Sequence, residues 1–99
     1  MILEIADIRI PPGQNAAFEE AITRAINTVA SRAKGFQRAE VHRGIESSER
    51  YVLQIVWDTV EDHTVHFRQG PLFAEWRAII GSYFAAPPHV EHFALVTQR

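Results

Sequence analysis

The chain has 99 residues, a formal charge of −2 at pH 7 with both signs spread along its length, and no cysteine. One domain fits that length, and such a chain buries between about 60% and 68% of its unfolded surface, so a core forms without staples. Disulfides and thiol chemistry are excluded, no basic cluster marks a nucleic-acid face, and no apolar run is long enough to span a bilayer. The opening MILEIADIRI lacks the basic segment of a signal peptide, and a cytoplasmic setting is expected.

Residues Ile2 to Ile10 alternate, yet both faces are largely apolar: Ile2, Ala6, Ile8 and Ile10 on one, Leu3 and Ile5 followed by Asp7 and Arg9 on the other. That pattern predicts a central strand covered on both sides. Pro11, Pro12 and Gly13 end it. Asn15 then reads as an N-cap, with Glu19 and Glu20 in the first turns. Phe18, Ala21, Ile22, Ala25, Ile26, Val29 and Ala33 form a helical stripe that Gly35 closes, and Arg32 and Lys34 suit the helix's negative end.

Phe36 to Ile45 reads as a strand dense in charge, which suits an edge. Glu46 to Arg50 is a polar turn. Tyr51 to Trp57 is again a strand apolar on both sides, with Tyr51, Leu53, Ile55 and Trp57 on one face and Val52 and Val56 on the other. Thr59 and Asp62 have the spacing of a capping box at the start of a second helix. That helix is expected to break at Gly70 in a left-handed conformation and to resume at Pro71. Leu72, Phe73, Trp76, Ile79, Ile80, Tyr83 and Phe84 give the second piece one apolar face, and Pro87 and Pro88 stop it. Val90 to Val96 is the last strand.

The order β-α-β-β-α-β predicts a single α+β domain over residues 1–99 with the ferredoxin-like plan. Two helices cover one face of a four-stranded antiparallel sheet, with the first and third strands central. The sheet's second apolar face would be bare in a monomer. A homodimer packed sheet to sheet is expected.

The chain has no phosphate loop and no GxGxxG. His63 and His66, three apart on a helix, would share a side, but no third ligand accompanies them and no metal is expected. His89 and His92 would point to opposite faces of a strand. His42, on the edge strand, is expected to be solvated. His63 lies one turn before Phe67 on the aromatic face. It is either a base of near-neutral pKa beside a pocket or a packed, capping residue. The aromatic stripe is likewise core, the wall of a flat-ligand pocket, or both. The pocket reading has Trp57, Phe67, Phe73, Trp76 and Tyr83 as its lining and a flat aromatic, quinone-like molecule as its ligand.

The strand ending in Trp57, the segment VEDHTVHFRQGPLFAEW and the segment YFAAPPHVEHF together resemble the antibiotic biosynthesis monooxygenase domain, a dimeric α+β barrel. The resemblance covers nearly the whole chain. It implies an oxygenase that uses neither metal, heme nor flavin, whose ionised phenolic substrate itself reduces oxygen. His63 is the first choice for the base and His66 its rival, while Asp7 and Arg77 would orient polar groups. The family's heme-degrading branch uses an asparagine, a tryptophan and an axial histidine where this chain has Asp7, Phe67 and Arg77, so heme degradation is disfavoured. Many other members carry a histidine at the position of Phe67. The same fold also hosts proteins without a known reaction, and the alternative expectation is a non-catalytic dimer that binds a small ligand or serves a stress response.

Overall fold

Strand β1 (Ile2–Arg9) and strand β3 (Arg50–Trp57) pair antiparallel along their whole lengths, from Ile2 opposite Trp57 to Arg9 opposite Arg50. The computed structural model describes residues 1–99 and places these two at the centre of a four-stranded sheet. Strand β2 (Phe36–Arg43) flanks β3 and strand β4 (His89–Phe93) flanks β1, giving the order β2-β3-β1-β4. All pairings are antiparallel, as the ferredoxin-like plan requires. The edge strands are the two shorter in apolar content, and β4 ends at Phe93, so that Leu95 and Val96 lie exposed beyond the sheet. Strand β2 stops at Arg43, which leaves Ile45 in the exposed turn.

Helix α1 (Asn15–Thr28) buries Phe18, Ala21, Ile22 and Ala25 against the sheet. Gln14, not Asn15, occupies the capping position. The Asn15 amide is used elsewhere, donating to Ser48 O at 2.7 Å and to the Tyr51 hydroxyl at 2.8 Å, and so ties the helix start to the β2-β3 turn. Glu19 accepts from that same hydroxyl at 2.6 Å and from Arg43 at 3.1 Å. A short 3-10 turn, Ala30–Arg32, follows α1, and Arg32 Nε donates back to Thr28 O at 2.6 Å, satisfying a carbonyl that the helix end leaves free.

After β3 the chain enters a π-helix, Asp62–Phe67, in which Arg68 N donates to His63 O across five residues. Thr59 Oγ1 accepts from Asp62 N at 3.1 Å, as the capping spacing predicts. Helix α2 (Pro71–Ile80) starts with Pro71 in its first turn and continues into a 3-10 turn, Gly81–Tyr83. Gly70 is not left-handed; its φ of −98° is ordinary. Glycine is needed there because a β-carbon would collide with the carbonyl of His66. The left-handed glycines are Gly13 and Gly35.

The inner sheet face joins the helices in one core that includes Ile8, Phe18, Ile22, Tyr51, Ile55 and Trp57. The outer face carries Leu3, Ile5, Val52 and Val56, all half-buried, with no element of this chain over them.

Candidate active site

Parity along β1 puts Glu4 on the same face as Ala6 and Ile8, facing the core, and there it is 4% exposed. A lone buried carboxylate is costly, so its surroundings decide its state. The Trp57 indole Nε1 donates to Glu4 Oε1 at 2.9 Å. His63 Nε2 lies 3.5 Å from the same oxygen. The other nitrogen of that ring, His63 Nδ1, is 2.8 Å from His92 Nε2. Glu4 and His92 face each other across the β1-β4 pair, and the π-helix brings His63 over both. The result is a continuous chain: Trp57, Glu4, His63, His92.

Burial pushes the Glu4 carboxyl up to about 7, against the opposing pull of the Trp57 hydrogen bond and the Arg68 charge. Burial first, then the Arg68 and His92 charges, bring His63 down to about 4. His92 is lowered by burial and by Arg68. The close Glu4–His63 approach has the distance of an ion pair. Burial disfavours both charges, however, and at 3.5 Å the contact is longer than a hydrogen bond, with His63 uncharged near neutrality.

Above this chain lies a cavity of about 750 Å³ between the sheet and α2. Glu4, Ala6, Ile8, Leu53, Ile55 and Val90 form its floor. Phe67, Phe73, Trp76 and Ile80 form its wall, with the Phe67 ring edge-on to Phe73 at 5.8 Å and to Trp76 at 6.0 Å. The segment from Phe84 to Pro88 closes one side, held to the sheet by Ala85 N donating to Arg9 O at 2.8 Å. Arg68 and Arg77 also line the cavity, and neither is in an ion pair. Arg77 sits 6.0 Å from the Phe73 ring centre.

Of the residues singled out from sequence, His63, Phe67, Phe73, Trp76 and Arg77 line this space. Trp57 does not: it is fully buried behind the lining, stacked on His63 at 5.3 Å, 5.6 Å from the Phe67 ring and hydrogen-bonded to Glu4. Tyr83 turns instead to Phe18, 5.9 Å away. Asp7 projects from the opposite sheet face, where Arg50 holds it at 3.1 and 2.8 Å. His66 is exposed and does not share a side with His63. Bonds across five residues widen the turn, so positions four apart come closer to eclipsed while positions three apart diverge. His63 and Phe67 are therefore both buried, and His66 faces out. No group of three histidine, aspartate or glutamate side chains is placed to hold a metal ion.

Two members of the chain, Glu4 and His92, were not flagged by the sequence. Glu4 has a readable signal, a carboxylate at an even position in an otherwise apolar inward face. His92 has none, because its partner His63 comes from a different element.

The sequence profile of antibiotic biosynthesis monooxygenases matches residues 1–79. The uncharacterised protein YczJ of Bacillus subtilis is 33% identical over 93 residues, covering 94% of this chain and 97% of that one. A crystal structure from Bordetella bronchiseptica, named for the same family, is 43% identical with a TM-score of 0.92, covering 97% of each chain. SnoaB, a cofactor-independent oxygenase from Streptomyces nogalater, is 20% identical with a TM-score of 0.79, covering 98% of this chain and 94% of its own. At that identity the likeness to SnoaB is one of fold.

Proposed function

We propose that this chain, which belongs to the antibiotic biosynthesis monooxygenase family, is a cofactor-independent monooxygenase acting on a flat aromatic phenol or quinol. The observation that carries this reading is the cavity itself, with an aromatic wall beside buried Glu4, whose carboxyl is raised to about 7, and His63. Phe67, Phe73 and Trp76 supply broad contact for a planar ring and exclude water. Arg68 and Arg77 supply positive potential at the same space, where an ionised oxygen of the substrate gains most. The cofactor-independent activity named for SnoaB, on the same fold, is consistent with it.

Dioxygen is a triplet and reacts slowly with closed-shell molecules, so an electron donor is needed. The deprotonated substrate is that donor. For a methylene flanked by aromatic rings, the ionised form transfers electrons to dioxygen. One oxygen atom becomes the carbonyl, and the other leaves as water with the two hydrogens. The protein's share is to bind the ring, remove the first proton and hold the anion dry.

The test is oxygen uptake with an anthrone-type substrate. Uptake matched to carbonyl formation and unaffected by chelators is expected. Binding seen by quenching of Trp76 without any uptake would replace this reading with the non-catalytic, ligand-binding one.

The outer sheet face supports the assembly expected from sequence. Leu3, Ile5, Val52 and Val56 form an apolar centre on this sheet face, and a second copy meeting it about a two-fold axis would cover it.

A further inference from the structure

We propose that Glu4 is the group that takes the substrate's proton, and that His63 and His92 conduct it outward by exchanging tautomers. The substrate side of this step rests on the oxygenase reading above; the relay itself does not.

The geometry is one-dimensional. Both contacts of the Glu4 carboxyl, from Trp57 and with His63, are made through Oε1. Oε2 has no hydrogen-bond partner in the protein, and no buried polar side-chain atom of the chain is left unsatisfied. Since Glu4 also lines the cavity, Oε2 is the oxygen that meets a bound ligand. Beyond Oε1 the path has one branch, His63 Nε2 at 3.5 Å, then His63 Nδ1 to His92 Nε2 at 2.8 Å. His92 is half-exposed on an edge strand, so its Nδ1 ends the path near solvent. His92 also lies outside residues 1–79, the span shared with the family profile.

Two proton arrangements fit this chain once the Glu4–His63 contact, 3.5 Å as it stands, closes by a few tenths of an ångström. With Glu4 protonated, its O–H donates to His63 Nε2, and His63 Nδ1–H donates to His92 Nε2. With Glu4 ionised, both bonds reverse: His92 Nε2–H donates to His63 Nδ1, and His63 Nε2–H donates to Glu4. The transfer starts from the carboxylate with both rings still in the Nδ1–H form of the first arrangement, so that His63 Nε2 is bare. A substrate O–H or activated C–H bond breaks and its proton forms the Glu4 O–H bond, which a half-turn of the carboxyl brings to the oxygen facing His63. One proton then moves along each of the two contacts and His92 Nδ1–H releases one to water, leaving the second arrangement with Glu4 a carboxylate and neither ring charged. When dioxygen is reduced and its oxygen needs a proton, the chain running inward re-forms the Glu4 O–H, Glu4 donates that proton to the oxygen, and the starting state returns.

The charged groups facing this chain agree with it. Arg68, following the π-helix, and Arg77, on α2, line the same cavity as Glu4, and Arg68 is the one whose charge acts on it. Arg68 favours the carboxylate and disfavours an imidazolium at either histidine. A relay through imidazolium would be opposed by that charge and by burial, whereas exchange between neutral tautomers is opposed by neither. The Trp57 indole, donor only, fixes Oε1 and cannot carry the proton.

The experiment is ¹⁵N NMR of the imidazole rings of the full chain across pH 5.5 to 8.5, with no substrate present. As Glu4 ionises, at about 7, His63 and His92 are expected to pass from the Nδ1–H to the Nε2–H form without becoming charged. In Glu4→Gln the change should disappear, because the amide cannot ionise. Rings that keep one tautomer throughout in the native protein, or that switch unchanged in Glu4→Gln, would overturn the relay. With an active substrate, Glu4→Gln should lower kcat by about 10²- to 10⁴-fold, the usual share of a general base. Retention of native kcat with an unchanged pH profile would remove Glu4 from that role. If Glu4→Gln does not fold, carboxyl infrared difference spectra of the native protein read the Glu4 titration directly, and a carboxyl that ionises in the ordinary range rejects the proposal.

Discussion

At the scale of single residues, the two histidines offered by the second helix part company. His63 is 4% exposed over the cavity floor, and His66 points away. His63→Ala is expected to cost about 10²- to 10⁴-fold in turnover through loss of the proton path. His66→Ala should leave turnover near native, as measured by oxygen uptake. Glu4 and His63 have opposite effects on how stability varies with pH. Glu4 ionises at about 7 in the fold, above its ordinary 4.5, so the folded state holds the proton longer and stability falls as pH rises between those values. His63 is lowered to about 4 from 6.5, so the unfolded state takes up protons first and stability rises with pH between about 4 and 6.5. From pH 4.5 to 6.5 the two slopes oppose, and thermal melts of the native protein should be nearly flat in their contribution. His63→Phe exposes the Glu4 slope, a loss on the order of 3 kcal/mol from pH 4.5 to 7. Glu4→Gln exposes the opposite one, with Tm rising over pH 4 to 6.5.

At the scale of elements, the π-helix is the positioning device. Its widened turn stacks His63 and Phe67 on one side, against Trp57, and presents the imidazole to both Glu4 and His92. Two glycines hold its ends. Gly35 has φ +80° and approaches the Asp62 carboxylate so closely that a β-carbon would overlap it. At Gly70 a β-carbon would collide with the carbonyl oxygen of His66. Gly13 is also left-handed, at φ +83°, but stands in open space. Gly13→Ala is therefore expected to cost only backbone strain, about 1 kcal/mol, whereas Gly35→Ala adds displacement of Asp62 and should cost about 2–4 kcal/mol by denaturant unfolding. An equal loss in both variants would mean that the approach to Asp62 has no energetic weight.

At the scale of the whole molecule, the helices cover only one side of the sheet. Leu3 opposite Val56 and Asp7 opposite Val52 place apolar and polar pairs side by side on the other, with Phe93 extending the apolar row beside Leu3. A second copy seated there removes this surface from water at about 25 cal/mol per Å² of apolar area. Ile5→Lys and Val56→Asp put charges at the centre of that contact, distant from the cavity on the inner face. Sedimentation is expected to give a dimer for the native chain and a monomer for either variant. A native monomer at micromolar concentration would leave the outer face to some other occupant.

Alternation and helical periodicity determined the element order, the central placement of β1 and β3 and the polar edge at β2, and the Gly70-Pro71 pair marked the restart of α2. Those features depend on which face of each segment is apolar, and a face is a property of the local chain. The aromatic wall at Phe67, Phe73 and Trp76 was legible for the same reason. Three things were decided only by tertiary structure. Asn15 caps no helix because the Tyr51 hydroxyl, from a distant strand, captures its amide. His63 and His66 diverge because the second helix folds with π rather than α bonding, to which a three-residue spacing gives no clue. Glu4 and His92 join His63 because β1 pairs with β4 in one register and the π-helix crosses above them. Sequence marks which residues turn inward. Which inward residues meet, and so which can pass a proton, is set by contacts between segments far apart in the chain.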